Sequence, residues 1–94
     1  MIALDRGPRF PLGETVITPG AAAKLPLPDI ESALRRHARG DWGEMDTGDK
    51  AANEAALERG STLASIYLAT NGVKFYVITE ADRSTTTILL PEEY

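Results

Sequence analysis

His37 and Trp42 are the single histidine and the single tryptophan of a 94-residue chain that has no cysteine. His37 can act as a general acid or base, because an unperturbed imidazole titrates at about 6.5. Asp41, one helical turn on, can orient it; the alternative is a half-buried histidine that donates to a loop carbonyl. Trp42, between Asp41 and Gly43, can stack on a base or anchor a partner. Its alternative role is to cap the core between two helices. A second polar run, Glu80-Ala81-Asp82-Arg83-Ser84-Thr85-Thr86, sets an arginine among carboxylates and hydroxyls. Arg83 there can grip a phosphate or carboxylate with both arms of its fork. In the alternative this is a hairpin turn in which Asp82 and Ser84 bond the backbone and Arg83 pairs with Glu80 or Asp82. Asp49 reads as a first-turn helix acid, and Asn53 as a polar residue that must be hydrogen-bonded if it faces the core.

Other chemistries are excluded or unsupported. Without cysteine there is no Cys–His pair, disulfide or thiolate zinc site. No Gly-x-Ser-x-Gly elbow accompanies the histidine, and no glycine-rich phosphate loop is present. Glu44, Asp46 and Asp49 offer too few oxygens, at the wrong spacing, for an EF-hand-type site, so neither metal nor cofactor is expected. The net charge of −4 and pI near 4.9 make direct nucleic-acid binding unlikely on electrostatic grounds. No apolar run reaches membrane-spanning length. Residues 1–9 lack the apolar stretch of a secretory signal, so a cytoplasmic protein is expected.

The elements that must position these residues follow from spacing. The chain is long enough for one domain, residues 1–94, with 43% apolar and 26% charged residues. Residues 1–13 read as a loose arm anchored by Phe10 and Leu12, and residues 14–17 as a short β segment. Thr18-Pro19 starts a short helix that ends before Pro26 and Pro28. Asp29 opens a second helix whose buried face carries Ile30, Ala33, Leu34, His37 and Ala38. Asp46 or Thr47 caps a third helix, which Gly60 ends. Beyond Gly60 the period becomes two. Asn71-Gly72 reads as a two-residue hairpin turn pairing Leu68 with Phe75, Ile66 with Val77 and Ala64 with Thr79. Residues 85–90 make a last strand. The expected class is α+β, with two to three helices on a three-stranded antiparallel meander.

Three stretches carry a resemblance: His37-Ala38-Arg39-Gly40-Asp41-Trp42-Gly43, then Asp49 with Asn53, then Ile78-Thr79-Glu80-Ala81-Asp82-Arg83-Ser84-Thr85-Thr86-Thr87. Together with the closing Leu89-Leu90-Pro91-Glu92-Glu93-Tyr94 they resemble a family of small bacterial plasmid-related proteins. These occur on plasmids, in integrated elements and in chromosomes, some under the label of a type I restriction subunit. The resemblance covers roughly residues 10–94 and implies a small protein of mobile-element association. It does not extend to methyltransferase chemistry, since the chain has no βαβ unit with a glycine-rich loop.

Two functions remain in view. The first is a binding or accessory protein, monomeric or homodimeric, that modulates a host or defence-system protein. Its surface would combine Asp41, Trp42, Asp49, Asn53, Glu80, Asp82, Arg83 and Ser84, with an acidic face able to imitate phosphates. The second is a small ribonuclease, by topological analogy with the RelE/ParE toxins. There His37 would be the acid or base and Arg83 the phosphate holder.

Overall fold

The structure, a computed structural model, describes residues 7–94; the first half of the expected N-terminal arm therefore lies outside the described residues. The fold is α+β. Strand β1 (Glu14–Ile17) leads into α1 (Pro19–Lys24), α2 (Leu27–Ala38) and α3 (Thr47–Arg59). Strands β2 (Leu63–Leu68), β3 (Lys74–Thr79) and β4 (Thr85–Leu89) follow, and a 3-10 turn (Pro91–Glu93) closes the chain.

Local chemistry explains most boundaries. Thr18 caps α1 by accepting the Ala21 N–H, with Pro19 at the first helical position. Asp46 caps α3 by accepting the Asp49 N–H, and Gly60 ends it in the left-handed region at φ 72°. Helix α2 begins two residues before Asp29. Pro28 sits in its first turn, where a missing N–H costs nothing, so this proline starts a helix instead of separating two.

The sheet has four strands in the order β1-β4-β3-β2, not three. The segment read as an isolated N-terminal strand pairs in parallel with β4, Glu14 opposite Thr85 and Ile17 opposite Ile88. Helices α1 to α3 form the crossover that this parallel pairing requires. The hairpin register also differs from the expected one by one residue. Tyr67 faces Phe75, Ser65 faces Val77 and Leu63 faces Thr79. The turn holds three residues, not two: Ala69 N–H bonds Val73 C=O, Gly72 N–H bonds Ala69 C=O, and Gly72 has φ 87°. That extra residue inverts every side chain of β2.

As a result the sheet buries Leu63, Ser65 and Tyr67 of β2, and Ala69 just past its end, with Phe75, Val77 and Thr79 of β3 and Thr86 and Ile88 of β4. The helices cover this face. Ala21, Leu25, Ile30 and Ala33 pack on Tyr67, Phe75, Val77 and Ile88, while Phe10, Trp42, Ala56 and Leu63 form a second cluster under α3. No helix of the structure is long and apolar enough to cross a membrane.

Candidate functional site

His37 ends the buried face of α2, and the strands below it supply its partners. Its Nδ1 lies 2.5 Å from Ser65 Oγ and its Nε2 2.9 Å from Thr79 Oγ1. Thr79 Oγ1 is 2.7 Å from Thr86 Oγ1, which in turn donates to Leu12 C=O at 2.7 Å. The terminal carbonyl sets the direction of the chain. Thr86 spends its proton on Leu12, so it accepts from Thr79. Thr79 then accepts from His37. This hydroxyl chain makes Nε2–H a donor, and in the neutral ring Nδ1 then accepts from Ser65. Burial, helped by the positive charge of Arg83, pushes the imidazole pKa down to about 4.

The Ser65–His37 contact has the spacing of a nucleophile and its base. Both residues, however, are 0% exposed. His37 lines neither the hollow of about 270 Å³ between residues 7–12 and α2 nor the groove of about 140 Å³ on the sheet. Asp41 does not orient the imidazole. It receives a two-armed ion pair from Arg36, Nε to Oδ2 at 2.8 Å, which holds its carboxyl below the usual carboxylate range.

Trp42 is 3% exposed. Its ring stacks on Phe10 at 6.2 Å and meets His37 edge-on at 5.7 Å. Its Nε1–H donates to Glu54 Oε2 at 2.9 Å, and Glu54 also takes both arms of Arg9. Those bonds, Arg9 first, hold the Glu54 carboxyl below its ordinary range.

Arg83 reaches inward. Its Nη1 donates to the carbonyls of Ser61 at 2.7 Å, Glu80 at 3.1 Å and Ala81 at 3.2 Å, and Nη2 donates to Ala56 at 3.4 Å. It thereby occupies the carbonyl end of α3, where a cation suits the helix dipole. The guanidinium also sits 5.7 Å from the Phe10 ring centre. The backbone of Arg83 is left-handed at φ 62°, unfavourable for a side chain of this size. Nη1 and Nη2 thus serve carbonyls of the chain itself and tie the half-exposed guanidinium to the end of α3.

The motif segments therefore do meet, around Phe10: His37, Trp42 and Arg83 all touch its ring. They meet around a buried ring, with His37 and Trp42 buried and Arg83 half-exposed. The other residues are spread out. Asn53, 6% exposed, pairs with both backbone groups of Ala64, donating to its C=O at 2.7 Å and accepting its N–H at 3.2 Å. It acts as a false strand on the outer edge of β2. The 42–44 loop covers the next position: Ile66 N–H bonds Trp42 C=O and Glu44 N–H bonds Ile66 C=O. Gly43 permits the approach, at φ 77° and with its Cα against Ile66 C=O, where a Cβ would collide. Asp49 is exposed in the first turn of α3. Glu80, Asp82 and Ser84 line an exposed turn in which Asp82 Oδ1 accepts the N–H and O–H of Ser84. Those bonds hold the Asp82 carboxyl below its usual range. Among the described residues no three His, Asp or Glu side chains converge as a metal-binding group.

The feature that sequence reasoning missed is the far face of the sheet, opposite α1 and α2, which is largely half-buried among the described residues. Val16, Thr87, Ile78 and Ala64 form one row across all four strands, and Leu89, Tyr76 and Ile66 form the next. Met45, Ala64, Ile66, Tyr76, Ile78 and Tyr94 line the groove there. Tyr94 meets Tyr76 edge-on at 6.0 Å. The tail is held by Glu93, whose carboxylate accepts from Thr18 Oγ1, Gly20 N–H and Leu90 N–H. The inverted face of β2 hid this surface, because the alternation of residues 64, 66 and 68 reads as a core face. No family model, curated protein or solved structure matches the chain.

Proposed function

We propose that this chain is a small accessory protein of mobile-element type that works by binding another protein and not by catalysis. The observation that carries the reading is where the chemistry-bearing side chains go. His37, Trp42 and Asn53 are engaged inside the fold and Arg83 bonds its own chain's carbonyls, while among the described residues the far face of the sheet keeps an apolar, half-buried groove. The occupant of that face is a protein segment with apolar side chains and a basic rim. Exposed Glu44 adjoins Met45, which lines the groove, and the chain carries a net charge of −4. Such charges set orientation and association rate more than affinity. A defence-system or host nucleic-acid enzyme presents that combination of charge and apolar surface, which agrees with the plasmid-related resemblance.

The ribonuclease alternative has less support. A buried neutral His37 cannot reach a phosphodiester, and Arg83 bonds carbonyls of its own chain.

The test is capture from a native host with tagged wild type and with Ile78→Lys, followed by titration calorimetry of the purified captured protein. Binding by wild type that weakens with added salt and drops at least tenfold in Ile78→Lys is expected. Equal binding by both forms would remove the far face from the reading. RNA cleaved at stoichiometric protein would overturn it in favour of the enzyme.

A further inference from the structure

The two edges of the sheet are finished differently. The β2 edge is closed by Asn53 at Ala64 and by the 42–44 loop at Ile66. Among the described residues no strand pairs with the outer edge of β1. Glu14 N–H bonds Ser84 C=O and Thr18 N–H bonds Ile88 C=O, which sets the phase of the parallel ladder. Residues 14, 16 and 18 therefore point their backbone groups at β4, and the N–H and C=O of Thr15 and Ile17 point outward. Its protections are few: the strand is short and carries one charge, Glu14. It holds no proline, lysine or bulge, all four residues are exposed, and Val16 and Ile17 are 37% and 38% exposed.

We propose that β1 pairs antiparallel with β1 of a second copy of this chain about a two-fold axis at Val16. The free groups are self-complementary in this register. Thr15 of each copy exchanges two hydrogen bonds with Ile17 of the other, so all outward N–H and C=O groups are used with none left over. Val16 faces Val16 of the second copy as a close non-hydrogen-bonded pair, an arrangement that suits β-branched side chains. The only charge in the strand, Glu14, lies four residues from its counterpart, roughly 14 Å along the strand. That exceeds the screening length of about 8 Å at physiological salt. The far-face row Ala64–Ile78–Thr87–Val16 then continues through Val16 of the second copy and across its sheet. One apolar face spans eight strands. The inference goes beyond the proposed binding role and stands without it, since it concerns the edge and not the groove.

An edge of four residues buries less than the roughly 800 Å² per partner of a stable interface. A weak, concentration-dependent dimer is the expected form, tightened by salt because each copy carries a net charge of −4. Sedimentation velocity from about 10 µM to about 1 mM is expected to show the mass rising toward twice that of the monomer. Hydrogen exchange at high concentration is expected to protect the Thr15 and Ile17 amides. Ile17→Pro removes an N–H that points away from β4 and pairs with no other strand among the described residues, and Val16→Lys opposes two ammonium groups; each is expected to stay monomeric. An equimolar mixture of Val16→Lys and Val16→Glu is expected to recover the dimer, which a merely destabilised fold would not do. A wild type that stays monomeric at about 1 mM, or variants that dimerise as wild type does, overturns the proposal. Protected amides in a monomer overturn it too, because the edge would then be closed from within the chain.

Discussion

Lowering the pH from 7.5 to 5 is expected to destabilise this protein mainly through one group. His37 is buried and neutral, accepting from Ser65 and donating to Thr79, with its pKa pushed from 6.5 to about 4. The unfolded chain takes up a proton at about 6.5. Between those values the unfolded state binds more protons than the folded state, so stability falls as pH falls. The contribution is complete above about 6.5 and is lost as the pH drops toward and through 4. Integration over the shift gives a loss of about 2 kcal/mol by pH 5 and about 3 kcal/mol by pH 4. In a domain of this size that is a large share of the total. The carboxylates of Asp41, Glu54, Asp82 and Glu93 are also held below their ordinary range, but their contributions begin to fade only at lower pH. Urea unfolding at pH 7.5 and 5.0, followed by the fluorescence of Trp42, isolates the imidazole. Wild type is expected to lose about 2 kcal/mol between the two. His37→Gln, less stable at both, is expected to lose little. The single histidine also gives one assignable imidazole signal for an NMR titration. Equal pH slopes in wild type and variant, or a midpoint near 6.5 in the folded protein, would falsify the buried-relay account.

Three further substitutions probe the Phe10 contacts and the closed edge. Asn53→Ala leaves the N–H and C=O of Ala64 without their partner and is expected to cost about 1–3 kcal/mol. It should also promote association through β2, so an unchanged urea midpoint together with an unchanged scattering profile would count against the false-strand role. Arg83→Ala removes the guanidinium from the end of α3 and from Phe10, at an expected cost of about 1–3 kcal/mol. Arg83→Lys should recover little of it, because an ammonium cannot reach four carbonyls as the planar fork does; full recovery by lysine would show that charge alone matters. Gly43→Ala brings a Cβ against Ile66 C=O at a left-handed backbone position, and should detach the 42–44 loop from β2. Fast exchange of the Glu44 and Ile66 amides is the expected sign, and protection equal to wild type would refute the fit.

The site was legible only in part. His37, Trp42, Asn53 and Arg83 stood out because each is a costly residue to place casually. Their residue types did not say whether they face solvent or core. That depended on Phe10, distant in sequence, whose ring brings three of them together. Ser65 carried a misleading signal: a serine between Leu63 and Tyr67 makes that face of β2 look polar. It is buried because His37, on a helix, satisfies its hydroxyl.

By itself the sequence determined what three or four consecutive residues can decide. Thr18 before Pro19, Asp46 before Asp49, and Gly60 after the last turn of α3 set helix ends through bonds that close within one turn. The α+β class followed from the change of hydrophobic period after Gly60. Tertiary structure alone decided the parallel β1–β4 pairing, the one-residue register of the hairpin and the half-buried far face of the sheet. Both faces of β2 carry apolar residues and the turn around Asn71-Gly72 admits two or three residues, so local sequence leaves two registers open. Packing against α2, and the need of a buried histidine for hydroxyl partners, selects one.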